Sequence, residues 1–509
     1  MTKSLPARPN PEQLKKEAKD LLKAHQAGDP IASQRFQEHH PKWSGSSASK
    51  IRGAKISLSD AQLVIAREYG FESWPRLKAH LDRLRLETAD PVELLKRAFT
   101  NDDAALFGKL LDQNPELKAR INEPVASFDS PVICAARSRE MLDVLLAAGA
   151  DINAKSRWWA GGFGLLHCGN PELANYAIER GAVVDAHAAA RLGLIKRLRE
   201  LVSNDPALVH TRGGDGQTPL HFASTVEIAE YLLEQGADID ARDVDHESTS
   251  AQYMTGDRQQ VARFLVERGC KTDILMAAAL GDEDLARKHL EANPDCIRMR
   301  VSEEYFPMIG GKTGGTIYQW TLGWYVSAHQ VAKKFGHEQL FELLIEHSPA
   351  DVKLLVACWL NDEPMMASLL KAHPGLAGGL SEADRRHSAH AARNNDLVAL
   401  RLMLAAGLPV DSRGQHDATP LHWACFHGNA EMAREILRYH PPLELTDRDF
   451  KSTPLGWAIH GSENGWHCRT GNYAGTVEAL LQAGAKPPEK AAGTEAVREV
   501  LRRYGLKEE

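Results

Sequence analysis

A self-similar unit recurs along this chain and restricts its fold more than any other feature. Thr218–Ala237 reads TPLHFASTVEIAEYLLEQGA and runs on into DIDARD. Thr419–Cys425 reads TPLHWAC and continues FHGNAEMAREIL, while Ser130–Ala150 reads SPVICAARSREMLDVLLAAGA before DINAK. Weaker copies start at Ile274 and His387. The Thr/Ser-Pro step suits a helix start, because Pro is tolerated in the first turn and Thr can cap it. Small Ala and Cys residues then allow close packing. A second stretch sets Ile228, Tyr231 and Leu232 three and four residues apart, one helical face. Gly236 and Gly484 stand where a helix stops in a left-handed residue. No unit can bury its own apolar stripe, so neighbouring helix pairs must stack.

Gly216-Gln217-Thr218-Pro219-Leu220-His221, followed by a helix ending in Gly-Ala-Asp, resembles the ankyrin repeat. The resemblance covers residues 91–486 and divides into about twelve units with a mean near the ankyrin period of about 33 residues. It implies an all-α solenoid of helix-pair units. His221 and His422 are then structural, tying each unit to the backbone of the next.

The segments outside the array read differently. Residues 1–90 form a small helical leader domain: one amphipathic helix over PEQLKKEAKDLLKAHQAGD, two helices around Gly70-Phe71, and a Gly/Ser-rich stretch at 39–56 read as a loop or linker. It resembles the helical segment that often precedes bacterial ankyrin arrays. Asp60–Tyr69 and Ser73–Arg85, with Arg76, Lys78, Arg83 and Arg85, also fit a helix-turn-helix; 16 Lys/Arg against 11 Asp/Glu is modest for that role, and capping or docking is the better account. Residues 487–509 supply a capping helix and tail.

Composition narrows the function classes. A net charge of −7 gives no overall field for nucleic acid. There is neither an apolar signal region nor an 18-residue apolar run, so a cytoplasmic, membrane-free location is expected. The seven cysteines contain no C-x-x-C and imply reduced thiols rather than a disulfide framework.

Three segments break the repeat: 155–164 (KSRWWAGGFG), 301–324 (VSEEYFPMIGGKTGGTIYQWTLGW) and 462–473 (SENGWHCRTGNY). Thr453–Ala485 is 33 residues long where the pattern needs about 23, whereas Thr218–Ala237 has only 20. Five of the ten tryptophans, at 158, 159, 320, 324 and 466, lie in or beside these insertions. They either plug gaps under the loops or line a groove as stacking residues. The candidate binding set is Trp158, Trp159, Lys312, Tyr318, Trp320, Trp324, Trp466, His467, Arg469 and Tyr473.

Specific chemistry is harder to find. GGKTGGT at 310–316 is no phosphate loop, since Phe306 stands where the pattern needs Gly. His460, His467 and Cys468 match no common zinc spacing, so no metal or cofactor is expected. The favoured reading is a recognition scaffold that binds a protein partner through its groove and insertions. The alternative is a hydrolase or lyase acting on a small polar ligand such as a carbohydrate. Glu463, His460 and His467 would then be catalytic, with Glu303, Glu304, Asp245 and Glu247 as further carboxylates. Convergence of the insertions on one pocket discriminates the two.

Overall fold

The computed structural model describes residues 3–5, 11–88, 90–124 and 129–506, with the side chains of all these except 11, 12 and 82–88. Among the described residues every regular element is a helix, supplemented by isolated β-bridges such as Lys155–Gly164 and Arg300–Ser327. The chain divides into two compact units. One comprises Met1–Ala154 with Glu172–Ala182, the other Lys155–Pro171 with Val183–Glu509.

In the first unit the leader builds its own core from Leu14, Leu21, Phe36, Ile51, Val64, Ile65 and Leu77. The stretch read as a loop or linker contains two short helices. These, Pro41–Trp43 and Ala48–Arg52, bury Trp43 and Ile51. Its Gly/Ser content serves capping: Ser47 caps the second of these helices. Pro30–His39, not anticipated, starts on the Asp29 cap and turns Arg35 onto Glu68, with Nε–Oε1 at 2.6 Å and Nη2–Oε2 at 2.8 Å. Arg83 and Arg85 of the helix-turn-helix reading lie outside the described side chains.

In the second unit helix pairs stack side by side. Pro420–Phe426 packs between His387–Arg393 and Pro454–Asn464, and Ala430–Leu437 packs against Tyr473–Gln482. Each TPLH tetrad closes in the same way. The Nδ1 of His221 accepts the Thr218 N–H at 3.2 Å, and its Nε2–H donates to Ser248 O at 3.2 Å; His422 repeats this with Thr419 and Ser452 O at 3.1 Å. Burial drives His221 down to about 3 and His422 to about 4, so both are neutral links between units.

Unit length is absorbed by the first helix of each pair. In the short Thr218–Ala237 copy it shrinks to a 3₁₀ turn, Pro219–Phe222. In the long one it extends to Asn464, so the loop itself is only residues 465–472. Glu495–Arg503 covers the last pair, burying Val497, Val500 and Leu501.

Candidate functional site

The tips of the fingers, the loops linking one helix pair to the next, receive the first two insertions. Segment 155–164 folds back on the 213–216 tip. Gly161 approaches so closely that an added Cβ would lie 2.0 Å from Gly213 O, and one on Gly214 would lie 2.3 Å from the Phe163 ring. Trp158 lies beside the Asp215 carboxylate. Segment 301–324 is closed at its base by Val301 N–H to Val326 O and Tyr325 N–H to Val301 O. Its tip lies on the earlier finger 243–248: Glu247 accepts the N–H groups of Ile309 and Gly310 at 2.7–3.0 Å, and Asp245 Oδ1 accepts that of Gly314 at 2.9 Å. The glycine-rich run thus cradles anionic groups after all, but they are the protein's own carboxylates.

The other end of that insertion meets the third one. The guanidinium carbon of Arg393 stands 4.2 Å from the ring centre of Trp324 and 5.6 Å from those of Trp423 and Trp466. Its Nε donates to Gln415 Oε1 at 2.6 Å. Burial lowers Arg393 to about 10, opposed by the field of Glu303. Trp466 stacks on Trp423 at 6.0 Å and meets Phe426 edge-on at 5.3 Å. Beside them opens a cavity of about 400 Å³ lined by His416, Trp423, Phe426, Phe450, Ser452, Gly456, Trp457, His460 and Trp466. Across His416 lies a charged cleft of about 320 Å³ that includes Glu303, Glu304, Trp324, Arg386, Arg448 and Asp449. His416 joins the two, donating from Nδ1 to Asp449 at 2.7 Å.

Several sequence candidates thus come together and others do not. Trp324, Trp466 and His460 border these two spaces. Trp158 is half-buried and Trp159 is 42% exposed, both at the Asp215 finger tip rather than the aromatic cavity. Lys312, Trp320, Arg469 and Glu463 are exposed. His467 lies in a separate cleft, its ring 5.2 Å from that of His427. Two candidates need correction. Tyr318 is fully buried and donates to Asp273 at 3.1 Å, and Tyr473 is 4% exposed and donates to Phe426 O at 2.8 Å. Both are anchors that seat insertions, with no surface left for a ligand.

The carboxylate pair that glycoside chemistry needs is missing from the aromatic cavity, whose lining residues include no Asp or Glu. Glu303 sits instead in the fields of Arg393 and Arg448. Sequence reasoning missed Arg393, Trp423, Phe426, Phe450 and Trp457. One signal was available. Trp423 and Trp457 each stand four residues after a Thr-Pro start, the variable position between His and Ala in the repeat pattern.

The repeat matches known protein families. A family described as "Ankyrin repeats (3 copies)" matches residues 388–491, and "Ankyrin repeat" matches 215–244. The chain contains ankyrin repeats. The aromatic cavity lies wholly inside the ankyrin stretch 388–491. Over 49 residues the chain is 47% identical to serine/threonine-protein kinase VIK of Arabidopsis thaliana, a match spanning 9% of this chain and 11% of the kinase. Ankyrin repeats are generally protein-interaction scaffolds. Among the described residues no helix is long and apolar enough to cross a membrane.

Proposed function

We propose that the ankyrin array recognises a protein partner by taking one apolar or aromatic side chain of an extended segment into the cavity between Trp423, Trp457 and Trp466. The carrying observation is the cavity's rim: Trp466 is 60% and Phe450 65% exposed, although the rings behind them are almost fully buried. A large aromatic held exposed against a packed aromatic floor is the form of a binding hot spot. The cleft across His416 supplies both signs of charge, from Glu303 and Glu304 to Arg386 and Arg448, for polar groups flanking that anchor. The finer assignment, with insertions 301–324 and 465–472 as the walls of the groove, rests on their shared contact with Arg393.

A displayed library of random peptides, selected on the wild-type protein and then measured on Trp466→Ala and Phe450→Ala, tests this. Selected peptides are expected to share one apolar or aromatic position and to bind each variant about tenfold or more weakly, the cost of losing a hot-spot side chain. Peptides without such a position, or with undiminished affinity for both variants, overturn the reading.

A further inference from the structure

A second cluster lies apart from the aromatic cavity, where insertions 155–164 and 301–324 meet the finger tips. Asp215, Asp245 and His246 each bring one ligand-type atom to within 4.8 Å of the other two. The backbone holds them there. Asp215 takes a left-handed conformation, φ 54°, and its carbonyl accepts the N–H groups of Val244 at 2.8 Å and Asp245 at 3.1 Å. The imidazole is oriented as well. Its Nδ1 lies 2.7 Å from Gly315 O, and since a carbonyl only accepts, Nδ1 carries the proton. Nε2 therefore presents its lone pair, makes no hydrogen bond among the described residues, and faces Asp245 Oδ2 at 3.9 Å. His246 is 9% and Asp245 5% exposed, so the imidazole and this carboxylate are mostly enclosed by the finger tips.

We propose that Asp215, Asp245 and the Nε2 of His246 form a binding site for a divalent first-row transition cation such as Zn²⁺, Co²⁺ or Mn²⁺. One imidazole nitrogen with two carboxylates suits these ions better than Mg²⁺ or Ca²⁺, which prefer all-oxygen sets. Ligand bonds of about 2.0–2.2 Å need only small side-chain rotations from these separations. The Nδ1–H bond to Gly315 O is the outer-sphere contact that fixes the tautomer of a ligating histidine. Asp243, bonded by the N–H groups of His246 and Ser248 and by the Tyr253 hydroxyl, braces the same tip. Bound there, the ion would clip finger 213–216 to finger 243–248.

The full-length protein, stripped with chelator, is titrated with CoCl₂ by calorimetry and visible absorption, with ZnCl₂, MnCl₂ and CaCl₂ as parallel arms. One equivalent of Co²⁺ is expected to bind, with d–d bands of a nitrogen/oxygen site and a raised Tm. Asp215→Asn and His246→Gln should each weaken binding at least tenfold, a loss that even outer-sphere changes reach. Circular dichroism reports whether the variants fold, and the wild-type titration stands whatever they do. No uptake by the wild type at about 1 mM cation overturns the proposal. So does undiminished binding in both folded variants, or a preference for Ca²⁺ over all three transition ions.

Discussion

Arg393 holds its guanidinium 4.2 Å above Trp324, and the same group lies 5.6 Å from Trp466, so one side chain touches two insertions that are 142 positions apart in the chain. The cation–ring contacts are partly sheltered, because Arg393 is half-buried and its Nε is held by Gln415. A partly desolvated contact of this kind contributes about 1–2 kcal/mol. Arg393→Met keeps the stem and removes the charge. Backbone hydrogen exchange is expected to quicken in both 301–324 and 465–472. A change confined to one segment, or none at all, would show that Arg393 does not join them.

Glu247 makes the corresponding link at the other end of insertion 301–324, accepting backbone N–H groups from Ile309 and Gly310. Lys312, two residues farther on, is exposed. Glu247→Ala removes the acceptor and lets the tip open more often. Trypsin cleavage after Lys312 is expected to accelerate roughly tenfold, the change in opened population produced by about 1.4 kcal/mol. Equal cleavage rates in the two proteins would mean that the tip is held by other contacts.

These links explain which parts of the molecule were legible in the sequence. The TPLH tetrads were, since Thr218 and His221 bond within four residues and the pattern records that local geometry. The aromatic cavity was not. Its floor comes from Trp423 and Trp457, which occupy a position the repeat leaves variable, and its central cation, Arg393, comes from a weak copy. Tyr318 and Tyr473 looked like binding residues because they adjoin glycines and tryptophans. What separates an anchor from a ligand contact is the hydroxyl's acceptor, Asp273 or Phe426 O, and those acceptors lie 45 and 47 residues away in the chain. In the leader the error ran the other way, since Gly/Ser composition at 39–56 hid the short helices that bury Trp43 and Ile51.

Acid should destabilise the array through its buried histidines. Burial lowers His221 and His390 to about 3, and His329, His422 and His427 to about 4, against about 6.5 when unfolded. Between these values the unfolded chain binds more protons than the folded one, so stability falls as pH falls. The contribution of these neutral rings is intact above about pH 6.5 and is lost progressively toward pH 3–4. Tm measured from pH 7.5 to 4.5 is expected to drop most steeply below pH 6.5. In His422→Gln, one of these titrating groups is gone and the slope should be shallower. A Tm that stays level across this range would contradict neutral burial.

Tyr473 separates seating of the third insertion from ligand contact. Its hydroxyl donates to Phe426 O, and its ring lies so close to Gly428, Gly461 and Gly471 that an added Cβ on any of them would come within 3.0 Å of it. Tyr473→Phe keeps the ring and removes the donor from the half-buried Phe426 carbonyl, which costs about 1–3 kcal/mol. Trp466→Ala removes an exposed ring and should change stability much less. Denaturant unfolding of the two variants is therefore expected to rank Tyr473→Phe as the more destabilised, while peptide affinity ranks them in reverse. The opposite pattern, with Trp466→Ala the less stable and Tyr473→Phe the weaker binder, would return Tyr473 to the binding surface and make Trp466 the strut of the loop.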